Sequence, residues 1–252
     1  MPPPPRPPTS LPSQLQSALS QSTSTPLPSL PWLTTLTSAR SPPPPLASLL
    51  ATARARILAA DLTTPNLLDP TYASTHCFPP NLHNPHTESC SLPSDAIVQV
   101  LDVENLSKSR WEQVEELESQ ARGETKRGRE IIRVTNDEEG RDGNNIDRGQ
   151  IQANTQATQA QGERGGTAGN KNATHKLLLQ DCKGQKVYGL ELERVDKIGV
   201  GITSIGEKVL LKKGTKAARG VLLLEPGGCV VLGGRVGVWD AAWNEGRLER
   251  LK

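Results

Sequence analysis

The sequence predicts a mainly β protein: a small barrel carrying a long disordered insertion, preceded by a small α-helical module. Three observations support this. First, 20 of the 21 prolines lie at or before Pro93, whereas all 22 glycines lie at or after Gly123, so two different architectures share the chain. Second, the last third is a series of short apolar runs separated by Gly-containing turns. Third, the best helical period lies early, at 46–62. Hydrophobic residues make up 35% of the 252 and aromatics 3%. That is too little for one core built from the whole chain, and fits one domain plus disordered stretches.

Residues 1–10 form a Pro-rich, extended tail. A Ser/Thr-rich helix is expected over 11–23, and Trp32, Leu33 and Leu36 mark a second, stopped by Pro42–Pro45. Leu46, Leu49, Leu50, Ala53 and Ile57 recur at i, i+3, i+4, i+7 and i+11, which makes 46–62 an amphipathic helix. No acidic residue precedes Asp61, so Arg40, Arg54 and Arg56 give the helical module 11–62 a basic outer face. Residues 63–94, rich in Pro, Asn, Ser and Thr, read as an irregular linker.

The barrel domain is expected over 95–252. AIVQVLDVENL (96–106) is β-branched and apolar and reads as a strand. Residues 107–124 read as a helix, with Trp111, Val114, Leu117 and Ala121 on one stripe. REIIRV (129–134) reads as a strand. Across 135–174 the only large apolar residues are Ile146 and Ile151, so this stretch cannot bury a core and is expected to be disordered alone. Further strands are expected at 175–181, at 186–195, with Tyr188, Leu190 and Leu192 on one face, and at 208–214. Residues 220–234 suggest a hairpin with Glu225-Pro226-Gly227-Gly228 as its turn, its two apolar strands buried on both faces. A closing helix is expected at 238–251, its Trp239, Ala242, Trp243 and Leu248 against the sheet. Five or more short antiparallel strands in about 80 residues, with Gly at the corners, suggest an OB-fold, a partly open five-stranded barrel.

Several functions are disfavoured by the residues. No apolar run reaches 18 residues, so no membrane span is expected, and MPPPPRPPTS lacks a signal-peptide core, which argues against secretion and a disulfide framework. Only His175 falls in the barrel half, and no phosphate loop, nucleophile elbow or zinc-protease motif is present, so no catalytic site and no cofactor are expected. His76, Cys77, His83, His86 and Cys90 are the right ligand types for zinc, but they lack the paired spacing of a structural site. The net charge of +2 points to no partner, yet from His175 to Lys252 there are 14 Lys+Arg against 9 Asp+Glu. Lys208, Lys212, Lys213, Lys216 and Arg219 cluster around one strand and its loop. They are either solvated edge protection or contacts to a DNA backbone. Single-strand binders stack bases on several aromatics, and here only Tyr188 lies on a predicted strand.

KLLLQDCKGQKVYGLELERV (176–195) and GVLLLEPGGCVVLGG (220–234), together with 97–118, 128–134, 32–36 and 40–62, resemble the family of RecQ-mediated genome instability protein 1 in its fungal form. The resemblance covers roughly 30–62 and 95–252, and implies only the first of the two OB-folds that some members carry. It implies an OB-fold behind a helical module and a non-catalytic nuclear subunit. Such a subunit binds and stabilises a type IA topoisomerase, links it to a RecQ-family helicase, and promotes dissolution of double Holliday junctions. DNA would be met as part of that complex. The stretch 135–174, with Ile146 and Ile151, sits where the family carries an insertion that enters the topoisomerase gate. The alternative from the residues is an autonomous OB-fold binder of single-stranded nucleic acid.

Overall fold

The computed structural model describes residues 10–21, 25–39, 41–123 and 173–252. Three helices, α1 (Leu11–Ser20), α2 (Leu30–Ser38) and α3 (Leu46–Ala59), form the N-terminal module. Pro12 and Pro31 occupy first-turn positions, where a missing N–H costs no hydrogen bond. Ser29 caps α2 by accepting from the Trp32 amide at 3.3 Å. Leu15, Leu19, Leu33, Leu36, Leu49 and Ala53 make the module's core. The α3 stripe is therefore as expected at Leu49, Ala53 and Ile57, while Leu46 is exposed. The helix stops at Ala59, short of the expected 62.

Residues 63–94 are largely irregular but firmly packed. They contain α4 (Pro70–Thr75), capped by Asp69 Oδ1 on the amides of Thr71 and Tyr72, and β1 (Cys90–Ser91). Leu67 and Leu68 join Ile57, Leu62 and Ile97 in a cluster between module and barrel, while Phe78, Leu82 and Leu92 enter the barrel core.

The barrel starts with β2 (Ala96–Asn105). A bulge between Val100 and Asp102 resets the alternation so that Val103 still points into the core. Next come α5 (Arg110–Ala121), β3 (His175–Asp181) and β4 (Lys186–Glu191). They are followed by β5 (Lys208–Leu211), β6 (Lys216–Ala218), β7 (Val221–Leu224) and β8 (Cys229–Gly233). The chain closes with α6 (Gly237–Glu245) and α7 (Arg247–Leu251), separated at Gly246 rather than forming one helix. The strands form one curled sheet in the order β1-β6-β7-β4-β3-β2-β5-β8. This is an OB-fold: β2, β3, β4 and β5 are its first four strands, and β7 with β8 supply the fifth.

Several expectations are corrected. The segment 220–234 is not a hairpin: β7 runs parallel to β4 and pairs with β6, and β8 pairs with β5. The fifth strand lies first against the third and then, beyond the turn Glu225–Gly228, against the fourth, which curls the sheet toward closure. The sheet is consequently mixed, not antiparallel throughout. β7 alternates, with Leu222 and Leu224 buried and Val221 and Leu223 half-buried on the outer face. The expected strands 186–195 and 208–214 end at Glu191 and Leu211. On α5, Val114 is buried but Trp111 is 76% exposed, so Trp111 is not core. On α6, Trp239 and Trp243 pack on the barrel core as expected, and Trp243 Nε1 donates to Asp102 Oδ1 at 2.6 Å, whereas Ala242 is exposed. The expected strand 129–134 and residues 135–172, with Ile146 and Ile151, lie outside the described residues. Ala173 and Thr174, expected within the disordered stretch, are placed. Ala173 is buried, and Thr174 accepts from the Leu106 amide at 2.9 Å. No described helix is long and apolar enough to cross a membrane.

The register of β7 sets a test. Leu222→Ala removes a fully buried side chain and is expected to cost about 2–5 kcal/mol by chemical denaturation. Leu223→Ala is expected to cost about 1 kcal/mol or less. Equal losses would show that both faces of β7 are buried.

Candidate interaction surface

In OB-folds the outer face of strands two and three, flanked by the first–second and fourth–fifth strand connections, is the usual binding surface. Here that face is carried by β3, β4 and β7, and strict alternation puts every second side chain on it. Register aligns Leu178, Tyr188 and Val221 in one row and Lys176, Leu190 and Leu223 in the next. A third row holds Gln180 and Lys186. Tyr188 is 50% exposed at the centre, with Lys176 Nζ 5.2 Å from its ring centroid and bound to Glu104 at 2.8 Å.

One flank holds the two described ends of the β2–β3 connection, residues 106–123 and 173–174. The exposed Leu106, Leu192 and Ile202 lie around its base. Beneath them is a buried ion cluster: His175 Nδ1 meets Glu191 Oε2 at 2.6 Å, and Arg194 Nη1 donates to Glu191 Oε1 at 2.9 Å. Burial raises the Glu191 carboxyl pKa. The hydrogen bonds from His175 and the Val195 amide, with the charges of His175 and Arg194, outweigh it and hold the carboxyl below its usual range. The cluster fixes the first residue of β3 to the last of β4, and so anchors the returning end of the connection.

The other flank, between β5 and β7, is basic. Lys212, Lys213, Lys216 and Arg219 are exposed there. The Lys213 amide donates to Asp95 Oδ1 at 2.7 Å, and Arg219, at φ 49°, donates its amide to Thr87 O. Lys208 does not belong with them. It is fully buried, its Nζ donating to Gly206 O at 2.5 Å. Burial lowers its pKa to about 8, against the opposing charge of Asp61. A lysine opening a strand looks like edge protection in sequence; only the docking of Asp61 over β5 reveals its burial. Sequence reasoning found the basic loop and, from the alternation of 186–195, the shared face of Tyr188 and Leu190. Leu178 and Leu223 were hidden in runs that look continuously apolar.

A model of the RMI1 N-terminal OB-fold domain matches residues 78–247, and a model of the RMI1 N-terminal helical domain matches residues 19–65. The chain belongs to the RMI1 family. It is 31% identical over 171 residues to RecQ-mediated genome instability protein 1 of Schizosaccharomyces pombe, an alignment covering 68% of this chain and 66% of that protein. The chain therefore spans just under two thirds of this relative's length. The RMI1 family models that match describe an OB-fold and a helical domain, not a catalytic one.

Two of the five His and Cys residues of the connector have local partners. His76 stacks on Tyr72 and its Nδ1 lies 2.8 Å from Thr75 Oγ1, while Cys77 Sγ donates to Ser74 O. Among the described residues, no three His, Cys, Asp or Glu side chains are placed to hold a metal ion.

Glu207, next to Lys208, sets a pH test. Burial raises its carboxyl to about 7 from an ordinary 4.5, although its Oε2 accepts from the Ser204 amide. Because the folded pKa is the higher one, the stability contribution is present below about pH 4.5 and is lost as pH rises through about 7. Glu207→Gln should therefore melt close to the parent at pH 5 and above it at pH 8. A variant that melts lower at pH 8 would show that the ionised carboxylate is stabilising.

Proposed function

We propose that this chain is a non-catalytic adaptor of a RecQ helicase–type IA topoisomerase assembly. In this reading it acts in the nucleus to stabilise the topoisomerase and to promote dissolution of double Holliday junctions. The observation that carries it, beyond family membership, is the character of the β3–β4–β7 face. Leu178, Leu190, Val221 and Leu223 surround one aromatic, Tyr188. A single-strand binder of this fold stacks successive bases on several aromatics; an apolar sheet face with one tyrosine suits a protein partner better. The topoisomerase would dock on this face, with 124–172, Ile146 and Ile151 included, as the arm reaching its gate. Lys212, Lys213, Lys216 and Arg219 would meet the phosphates of DNA held by the partner. The second reading, an autonomous nucleic-acid binder, rests on Tyr188 between Lys176 and the basic loop.

Tyr188→Ala combined with Leu190→Glu is expected to reduce capture of the same organism's topoisomerase about tenfold or more while leaving the melting temperature within a few degrees. Unchanged capture would move the interface elsewhere. Fluorescent single-stranded DNA should bind the free chain no tighter than about 1 µM at physiological salt; tighter binding, abolished by Tyr188→Ala, would favour the second reading.

Replacing 135–172 by a short Gly-Ser linker should leave a complex that still forms but dissolves double junctions at an altered rate. An unaltered rate would remove the gate role. Lys212→Glu with Lys213→Glu should weaken only the DNA-dependent steps and flatten their salt dependence.

A further inference from the structure

The outer face of the barrel beneath the helical module is polar where an apolar strip would serve. Gln180, Gln99 and Lys208 stand in register across β3, β2 and β5, and Gly233 of β8 ends the row. Gln99 and Lys208 are both fully buried. The chain that leaves α3 lies over them. Asp61 and the Leu62 amide bind Gln99 on one side of Lys208, and Leu58 O closes on Gly234, next to Gly233, on the other.

The two buried side chains are not equally well served. The Gln99 amide is bonded at both its oxygen and its nitrogen. The Lys208 ammonium carries three N–H groups, and among the described residues one hydrogen bond holds it, to Gly206 O. Asp61 is the one charge that acts on it. The Oδ1 of that carboxylate is taken by Gln99 Nε2 and the Thr63 amide, and it makes no hydrogen bond to Lys208 Nζ. Burial outweighs the attraction and brings the ammonium's pKa down to about 8, so the charged form is less stable here than in water.

A charge buried with so few partners destabilises the state that buries it, and an apolar side chain of the same length would fill the space without that penalty. The penalty exists only while the module is docked. Gly206 belongs to the barrel, so undocking returns Nζ to water, keeps its one hydrogen bond and leaves the strands paired.

We propose that Lys208 is a built-in release for the helical module: its buried ammonium makes the joint open, with the barrel intact, more often than the barrel itself unfolds. Opening bares Ile57, Leu62 and Ile97 together with the polar row, a surface closed in the docked form. The inference does not depend on the adaptor reading above.

The test is hydrogen exchange on the full chain. The Leu62 amide reports the joint, because its acceptor is Gln99 Oε1, and the amides of β3, a strand paired on both sides, report the barrel. Leu62 is expected to exchange at least about tenfold faster than β3. Lys208→Met is expected to slow Leu62 about tenfold or more, to slow it more than β3, and to raise the melting temperature by a few degrees. Asp61→Asn keeps the oxygen that Gln99 and Thr63 use but removes the charge that acts on Nζ. It should therefore speed Leu62 exchange in the parent and change it far less in a Lys208→Met background.

Leu62 exchange as slow as that of β3 would overturn the proposal, since the joint would then have no opening of its own. So would a Lys208→Met chain that fails to fold, melts lower or exchanges Leu62 no more slowly, because the ammonium would then clamp the module rather than release it. Equal effects of Asp61→Asn in the two backgrounds would also sink it, by showing that the carboxylate and the ammonium are not coupled.

Discussion

The arrangement depends on one buried amide. Gln99 lies on the outside of the barrel sheet yet is fully buried, because the helical module sits on it. Its Oε1 accepts from the Leu62 amide at 3.0 Å, and its Nε2 donates to Asp61 Oδ1 at 2.7 Å and to Gln180 Oε1 at 3.0 Å. Removing one partner from such a site leaves the others unpaired in a low-dielectric seam, at about 1–3 kcal/mol each. Ile57, Leu62, Leu67, Leu68 and Ile97 surround the amide with apolar contact. Gln99 therefore specifies both that the module docks and in what register. Gly234 tightens the same joint: at φ +87°, a Cβ there would lie 2.3 Å from Leu58 O at the end of α3.

That docking determines which outer surface remains free. The module covers Ile97 and Gln99 on β2 and reaches Leu232 on β8, and the connector covers Cys182 beyond the end of β3. Among the described residues, what stays uncovered is the β3–β4–β7 face, beside the basic loop. The same burial draws Lys208 inward beneath Asp61 and leaves Lys212, Lys213, Lys216 and Arg219 outside. The split between structural and surface lysines is thus a consequence of how the module sits, not of the local sequence.

Much of the architecture was legible because its signals are local. The α3 stripe, the strands 96–105 and 175–181, and the Pro-to-Gly change in composition could be read without any knowledge of contacts. The pairing of β7 and β8 could not. An apolar-turn-apolar run looks like a hairpin, and only the curl of the sheet gives each half a different neighbour. Phe78, Leu82 and Leu92 were missed for another reason: isolated apolar residues among Pro and Asn show no period, although each is almost wholly buried. Trp111 failed in the opposite sense, since its helical spacing matched Val114 but α5 shows the barrel only part of that stripe. Of the site, the charges and the Tyr188–Leu190 face were visible, and the apolar residues of β3 and β7 were not, because alternation cannot be seen in a run such as VLLL.

The division of Pro from Gly then acquires a physical cause. The module and the connector need helix starts, and Pro12, Pro31 and Pro70 sit in first turns, where proline's fixed φ helps and its missing donor is harmless. The barrel needs corners where backbone approaches backbone. At Gly206 and Gly220, both with positive φ, an added Cβ would come within 2.5 Å of Val236 N and His83 O respectively. The Gly220 contact joins a barrel corner to the Pro-rich connector, and the Gly234 contact joins another to α3. The two compositions therefore meet at the glycines. A chain whose halves look independent in sequence is held together where one half supplies the backbone and the other leaves room for it.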